Sequence, residues 1–173
     1  SKTISDLISD ATVAIGEKIS VRRFARYETK GVVSTYIHLG GKVGVMVEVA
    51  ADEARRQNEA VKTFAHDLAL QIAAAKPEAV RREEVDASKL EKEKEILRAQ
   101  ALNEGKPEKL VERMVEGRIE KYYKENCLME QVFVKNPDIT IATRVNEATL
   151  ASGEKISIRR FTRYECGEGI EKK

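Results

Sequence analysis

The chain has 173 residues, in which 31 Lys and Arg nearly balance 29 Asp and Glu. The resulting formal net charge of +2 is not typical of a protein whose main partner is a polyanion. No apolar run approaches the roughly 20 residues of a transmembrane helix and no leader is recognised, so we expect a soluble intracellular protein. Its two cysteines, Cys127 and Cys166, lie far apart, which favours a reducing compartment over a disulfide framework or zinc site.

One segment of the sequence occurs twice. Residues 3–28 and 140–165 align without a gap, and sixteen of the twenty-six positions are identical. Each copy begins with apolar residues at helical spacing and then reaches a glycine, Gly16 or Gly153, that suits the left-handed end of a helix. Apolar and polar residues then alternate, as in a half-buried strand. Each copy is therefore predicted to be a helix followed by a strand, the first strand lying over residues 19–27.

Two β-rich runs follow the first copy. Residues 32–38 and 43–49 are separated by the short segment 39–42, which contains two glycines. This pattern predicts a β-hairpin. Apolar residues at helical spacing between positions 61 and 72 then predict a helix that Pro77 ends.

The composition changes in residues 83–128, which are rich in Glu, Lys, Leu and Ala. Leu90 and Leu97 recur at heptad spacing, and residues 105–107, Gly-Lys-Pro, combine a helix stop with a helix start. We expect an antiparallel helical hairpin that projects from the body, and we call residues 83–128 the arm. The predicted fold class is α+β, a small antiparallel sheet with helices packed on it plus this protruding hairpin.

No pattern in the sequence indicates an active site. His38 and His66 are the only histidines, and neither has metal-ligand spacing to a cysteine or another histidine. The segment LGGKVG at 39–44 is not a phosphate-binding loop. Such a loop has a further glycine upstream, where Tyr36 stands here, and a Ser or Thr after the lysine, where Val43 stands. We therefore expect no catalytic residue, no metal site and no cofactor.

Two features have alternative interpretations. His38 precedes a Gly-Gly turn, where its side chain could contact a partner, although such a histidine more often bonds only to its own turn. The arginine-aromatic segments 21–28 and 158–165 could stack on single-stranded RNA and bind its phosphates. Such strands more often bury their aromatic rings and leave the arginines in water.

Three segments of the chain resemble the elongation factor Ts family of bacteria and organelles. They are TYIHLGGKVGVMVEVAAD at 35–52, NEGKPEKLVERMVEGRIEKY at 103–122 and GEKISIRRFTRYECGEGIEK at 153–172. The resemblance runs over nearly the whole chain, and the second segment is its most specific part. It implies a guanine nucleotide exchange factor that promotes GDP release from elongation factor Tu. Such a factor acts by binding and uses no side-chain catalysis.

The resemblance also implies a contact surface. In the family, the histidine-containing hairpin docks on a distal domain of elongation factor Tu, and the arm is a coiled-coil protrusion. The partner-binding candidates here are His38, Leu39, Gly40 and Gly41, with Phe133 and Val134 as weaker ones. We do not expect nucleic acid to be the main partner, nor a membrane, and no feature sets an oligomeric state. The implied location is the bacterial cytoplasm, or the interior of a plastid or mitochondrion.

The sequence departs from the family pattern in two respects. Many members carry Asn-Cys-x-Thr-Asp-Phe-Val after a hairpin of this kind, whereas residues 47–59 here read VEVAADEARRQNE. The ubiquitin-associated-like helical module that usually begins the family's chains is also absent. These departures leave exchange activity open, and the alternative is a ribosome- or RNA-associated binding module without it.

The family's duplicated core suggests a division of the chain. The parts are 1–29, a helix–strand unit that closes a preceding subdomain; 30–82, the hairpin and helix of the core subdomain; 83–128, the arm; and 129–173, the return segment with the closing helix–strand unit. On this hypothesis the polypeptide is the C-terminal portion of a longer factor. Alternatively, the strands of both copies join the one hairpin in a larger sheet.

Overall fold

The computed structural model describes residues 1–53 and 56–169. Positions 54–55 of the predicted 30–82 part and 170–173 of the predicted 129–173 part lie outside the described residues. The described chain forms these helices and strands in order: α1 (Ile4–Ile15), β1 (Val32–His38), β2 (Val43–Ala50), α2 (Glu59–Ala75), α3 (Ala87–Asn103), α4 (Glu108–Asn126), β3 (Val132–Phe133), β4 (Asn136–Thr140), α5 (Ile141–Ser152) and β5 (Ser157–Glu165). The predicted α+β fold class is confirmed.

The main sheet has three antiparallel strands in the order β1-β2-β5. β1 and β2 form the predicted hairpin, with Val32 opposite Val49 and His38 opposite Val43. β2 is the central strand, and its alternate valines are at most 4% exposed: Val43, Val45, Val47 and Val49. Since successive side chains of a strand point to opposite faces, these valines define the inner face of the sheet.

Helix α2 covers the inner face of the sheet. Its apolar stripe is almost completely buried, with Phe64 and Leu68 at its centre. Burying each such side chain stabilises the fold by about 1.5–3 kcal/mol. The helix ends at Ala75, as the position of Pro77 predicted, and Lys76 at its C-cap adopts a left-handed conformation (φ 49°). Helix α5 packs against α2 and adds Ile141 to the same core.

The arm is the predicted antiparallel helical hairpin. Helices α3 and α4 enclose a second apolar cluster that is separate from the main core and consists of Leu90, Leu97, Ala101, Val111, Val115, Ile119 and Tyr123. Arg82 ties the base of the arm to the body because its guanidinium bonds both to Glu120 of α4, at 2.8 Å, and to Glu130. The same guanidinium stacks over the ring of Tyr123, with its carbon 4.5 Å from the ring centroid.

The first repeat matches the prediction only in its helix. Helix α1 starts with a capping box at Thr3 and ends at Gly16 (φ 78°), but residues 18–29 form no strand, so the strand predicted over 19–27 is wrong. The larger sheet that would contain both repeat strands is also wrong. The physical reason is that β1 and β5 already occupy both edges of β2. Residues 18–29 instead lie over the outer face of the sheet, where Ala25 lines a shallow cavity with Met46 and Ile37.

The two repeats contact each other reciprocally across this outer face. The Arg23 guanidinium lies 4.4 Å from the ring centroid of Tyr164, and that of Arg160 lies 4.1 Å from the ring centroid of Tyr27. Arg23 aligns with Arg160, and Tyr27 aligns with Tyr164. Each repeat therefore gives an arginine to the other repeat's tyrosine, which is the contact pattern of a two-fold symmetric interface. Each such cation–π contact contributes about 0.5–1 kcal/mol.

Gln71 and Gln131 hold the return segment against the core. The Gln71 side-chain amide donates to Gln131 Oε1 and to the Val132 carbonyl, both at 3.1 Å, and its oxygen accepts from the Val134 N–H at 2.8 Å. Gln131 in turn donates to the carbonyls that end α2 and α4, those of Ala75 and Glu125. Both glutamines are buried, so the position of Val134 depends on this network.

The Gln71→Leu variant tests this network. The change keeps the side chain close to its size but leaves the amide N–H of Val134 and the side-chain oxygen of Gln131 without their buried partner. We expect the free energy of unfolding to fall by about 1–3 kcal/mol in urea denaturation. Gln57→Leu, at an exposed position, is the control. An equal effect of the two substitutions would contradict the assigned role.

Glu48 gives a pH-dependent prediction. Its carboxylate is 1% exposed and contacts Arg160 Nε at 2.6 Å and Arg159 at 3.4 Å. Burial by itself would raise the pKa of Glu48, but hydrogen bonds from Thr29 and Arg160 and the two arginine charges outweigh it, so the pKa is lowered. Glu48→Gln should therefore cost about 1–3 kcal/mol of unfolding free energy at neutral pH.

This difference should depend on pH with a defined sign. A carboxyl whose pKa is lowered by folding contributes fully above the unfolded-state value of about 4.3, and its contribution is lost as the pH falls through the folded-state pKa. Urea unfolding at a series of pH values from 7 down to 3 should show the wild-type advantage shrinking only at the acidic end. The exposed Glu147→Gln is the control. A pH-independent difference would argue against the charged form as the stabilising one.

Candidate protein-binding site

An open groove lies where the hairpin tip, the end of α2, the residues after β3 and the end of β5 meet. Its volume is about 430 Å3. Its apolar lining consists of Leu39, Val43, Leu70, Ala73, Ala74 and Val134. The structure thus brings three of the sequence-predicted residues together, His38 and Leu39 from the hairpin and Val134 from the return segment.

The hairpin tip has an unusual backbone. Leu39, Gly40 and Gly41 are successive residues with positive φ, of 51°, 63° and 94°. Glycine adopts this region freely, whereas a leucine there costs roughly 1–2 kcal/mol. The Leu39 side chain is nevertheless 63% exposed, so burial does not compensate the strain. A strained backbone that presents an apolar side chain to solvent is a feature expected of a contact site.

His38 is held by its own hairpin. Its Nδ1 lies 3.0 Å from the Tyr36 hydroxyl, and the two rings stack with centroids 5.6 Å apart. Tyr36 also packs edge-on against His66 of α2, with centroids 6.1 Å apart. The histidine therefore bonds within its own turn, as the simpler interpretation supposed, while its ring remains exposed in the groove.

The remaining predicted residues divide between core and surface. Phe133 is 5% exposed and belongs to the main core, so its side chain does not reach the surface. Val134 is 47% exposed and lines the groove. Gly40 and Gly41 shape the tip but do not line the groove. Phe133 therefore anchors the segment that presents Val134.

Sequence reasoning missed the contribution of α2. Its last turns supply Leu70, Ala73 and Ala74 to the groove. The run Ala73-Ala74-Ala75 before Lys76 was the available signal, since small side chains at a helix end leave space that larger ones would fill. This signal is weak, because alanine is also the best helix former.

Charged side chains surround the apolar lining. Lys76 Nζ contacts both carboxylate oxygens of Glu165, at 3.0 and 3.2 Å, and Arg163 contacts one of them at 2.7 Å. The hydrogen bonds from Lys76 and then Arg163 lower the pKa of Glu165. Lys135 Nζ lies 2.6 Å from Asp67. The groove is lined by three cations, Lys76, Lys135 and Arg163, and by one carboxylate.

The arginine-aromatic segments are largely engaged within the chain. Arg160 bonds to Glu48, Arg163 to Glu165, and Arg23 to Glu168 at 3.2 Å. Arg22 donates to the Glu168 carbonyl at 3.0 Å. To bind phosphate, these four arginines would have to exchange their present partners.

The described residues show no arrangement suited to covalent or metal chemistry. Burial raises the pKa of the Cys127 thiol to about 11, so it is protonated and a poor nucleophile at neutral pH. Within 1–53 and 56–169, no group of three or more His, Cys, Asp or Glu side chains could hold a metal ion. Across the same residues, no helix combines the length and apolar character needed to cross a membrane.

Comparisons with known proteins agree on one family. The family described as "Elongation factor TS" matches residues 1–168. Elongation factor Ts of Desulforamulus reducens is 57% identical over 159 residues, which are 91% of this chain and 73% of the relative. That of Heliobacterium modesticaldum is 54% identical over 91% of this chain and 74% of the relative. Elongation factor Ts of Clostridium botulinum strain Alaska E43 is 52% identical over 98% of this chain and 55% of the relative.

These matches extend over the sheet, the groove and the arm alike, and their identities are far above the level at which similarity shows only a shared fold. The resemblance that the hairpin and the arm indicated is therefore confirmed. The chain belongs to the translation elongation factor Ts family.

Proposed function

We propose that this chain binds elongation factor Tu through the groove and thereby promotes release of GDP. The observation that carries the proposal is the tip itself, where a strained and exposed Leu39 stands beside His38 and Val134. Family membership supports the identity of the partner. The bacterial relatives support the bacterial cytoplasm as the location.

The proposed action is exchange by differential binding, without a covalent step. A factor that binds the nucleotide-free GTPase more tightly than the GDP-bound form lowers the affinity for GDP by the same ratio. Hydrophobic and hydrogen-bonding contacts are sufficient for this, so the function requires no nucleophile, acid, base or metal from this chain. We infer that the chain is an exchange factor and not an enzyme in the usual sense.

We also propose that residues 1–29 belong to a further subdomain of a longer factor. Helix α1 contributes no buried residue, and Val21 and Phe24 are 59% and 85% exposed. Their counterparts in the second repeat are Ile158, which is 1% exposed, and the half-buried Phe161. The same apolar positions are covered in the second repeat and exposed in the first. This difference supports a further layer of protein that packs over the first repeat in the longer factor.

Release of fluorescent GDP from elongation factor Tu tests the proposed function directly. We expect stoichiometric amounts of this chain to accelerate release and to bind the nucleotide-free GTPase in the same samples. Binding without acceleration would show a docking surface that lacks the exchange step, consistent with the absence of Thr-Asp-Phe-Val. No binding at all would contradict the proposal.

Leu39→Gly separates function from folding. The substitution relieves a strain of about 1–2 kcal/mol but adds about 0.5–1 kcal/mol of unfolded-chain entropy, so stability should be unchanged or slightly higher. Loss of the exposed side chain should weaken binding of nucleotide-free elongation factor Tu about tenfold. Thermal unfolding and titration calorimetry measure the two effects. The control is Leu150→Ala, which removes another exposed leucine side chain. Alanine is used at this position because glycine would weaken the helix.

Weaker binding together with undiminished thermal stability would support the proposal. Unchanged binding would remove Leu39 from the contact surface.

A further inference from the structure

The groove combines an apolar interior with a cationic border. Leu70, Ala73 and Val134 line it without offering a polar group to a ligand, and the last turn of α2 narrows it only slightly because its side chains are small. A volume of about 430 Å3 is of the size that accepts one or two apolar side chains of a partner.

The cations at the border are not equivalent. The Arg163 side chain is 10% exposed and is occupied by Glu165 and by the Ala73 carbonyl. Lys76 and Lys135 are 59% and 50% exposed. Each lysine contacts a carboxylate that a second cation already binds, since Glu165 is shared with Arg163 and Asp67 with Arg144.

The lysine ammonium groups can therefore turn toward a partner, because each carboxylate that they leave still has a second cation bound to it. Glu165 would keep Arg163, and the 6%-exposed Asp67 would keep Arg144, which also reaches Glu147 at 3.6 Å. Exposed lysines with this freedom favour an anionic neighbour, because a carboxylate brought to them gains a charge-assisted hydrogen bond at low desolvation cost.

We propose that the groove receives an apolar side chain of the protein partner that is flanked in its sequence by carboxylates. The apolar side chain fills the space beside Leu70 and Val134, and the carboxylates reach Lys76 and Lys135. This inference rests on the proposed function, and it specifies the chemistry of the docking segment that the groove selects.

Two substitutions at matched positions test the apolar part. Ala74 and Ala151 are both exposed and both next to last in their helices, α2 and α5, but only Ala74 lines the groove. Ala74→Trp should weaken binding of nucleotide-free elongation factor Tu at least tenfold, and Ala151→Trp less than twofold. Ala74→Leu, a smaller change with an expected intermediate effect, serves if the tryptophan variant does not fold.

A second pair tests the charged part. The double variant Lys76→Gln, Lys135→Gln should weaken binding about three- to tenfold and flatten its dependence on salt concentration, because screened charge pairs are lost. Lys62→Gln with Lys155→Gln removes the same charge outside the groove and should do neither. Photo-crosslinking from benzoylphenylalanine in place of the exposed Lys42, which adjoins the groove residue Val43 but does not line the groove, should then label a partner segment with an apolar residue and at least one Asp or Glu within three positions.

The outcomes distinguish the inference from the function on which it rests. If the wild-type chain does not bind elongation factor Tu, the proposed function fails and the inference fails with it. If the wild type binds and Ala74→Trp binds equally well, binding of elongation factor Tu stands, but its assignment to the groove fails together with this inference. If groove filling blocks binding but the lysine variant and its salt dependence match the wild type, or the crosslinked segment lacks carboxylates, the acidic flank is wrong.

Discussion

The fold depends on the burial of one face of one strand. β2 is paired on both sides, and the valines on its inner face are covered by α2, so neither the strand nor the helix can shift without exposing the core. A slip of β2 by one residue would turn all four valines to the opposite face. The groove follows from the same constraint, since it is bounded by the first residue of β2, the last turns of α2 and the end of β5.

The repeated segment shows which structure is encoded locally. In both copies a threonine caps the helix, as Thr3 accepts from the Asp6 N–H and Thr140 from the Thr143 N–H. In both, a later threonine accepts from the backbone N–H that follows the glycine turn, at 3.4 and 3.3 Å. The helix and its turn therefore form wherever this sequence occurs. The same pattern predicted a strand in both copies, but the strand forms only in the copy that has a neighbouring strand to pair with. β5 therefore forms, and the strand predicted over 19–27 does not.

The candidate site likewise has one part that the local sequence encodes and another that only tertiary packing creates. The hairpin and its Gly-Gly tip follow from turn chemistry within ten residues of sequence. His38 and Leu39 became binding candidates only through the family resemblance. The positions of Val134 and Phe133 relative to the surface could not be predicted, because Phe133 ends a two-residue strand and a shift of one residue there decides which side chain enters the core. The α2 side of the groove arises from packing, and the weak signal of the alanine run at the end of α2 is its one mark in the sequence. The division of the chain into four parts stays a prediction.

The order of the sheet has a consequence for how the chain is made. β2 is complete at Ala50, but its second partner begins at Ser157, more than a hundred residues later and after the whole arm. At ribosomal rates of about 5–20 residues per second, the edge of β2 waits roughly 5–20 s for β5. During this interval the nascent protein holds a valine-rich strand with one unsatisfied edge, the kind of surface on which chains aggregate. The apolar cluster of the arm lies entirely within residues 90–123, so the arm can fold while the sheet is still incomplete.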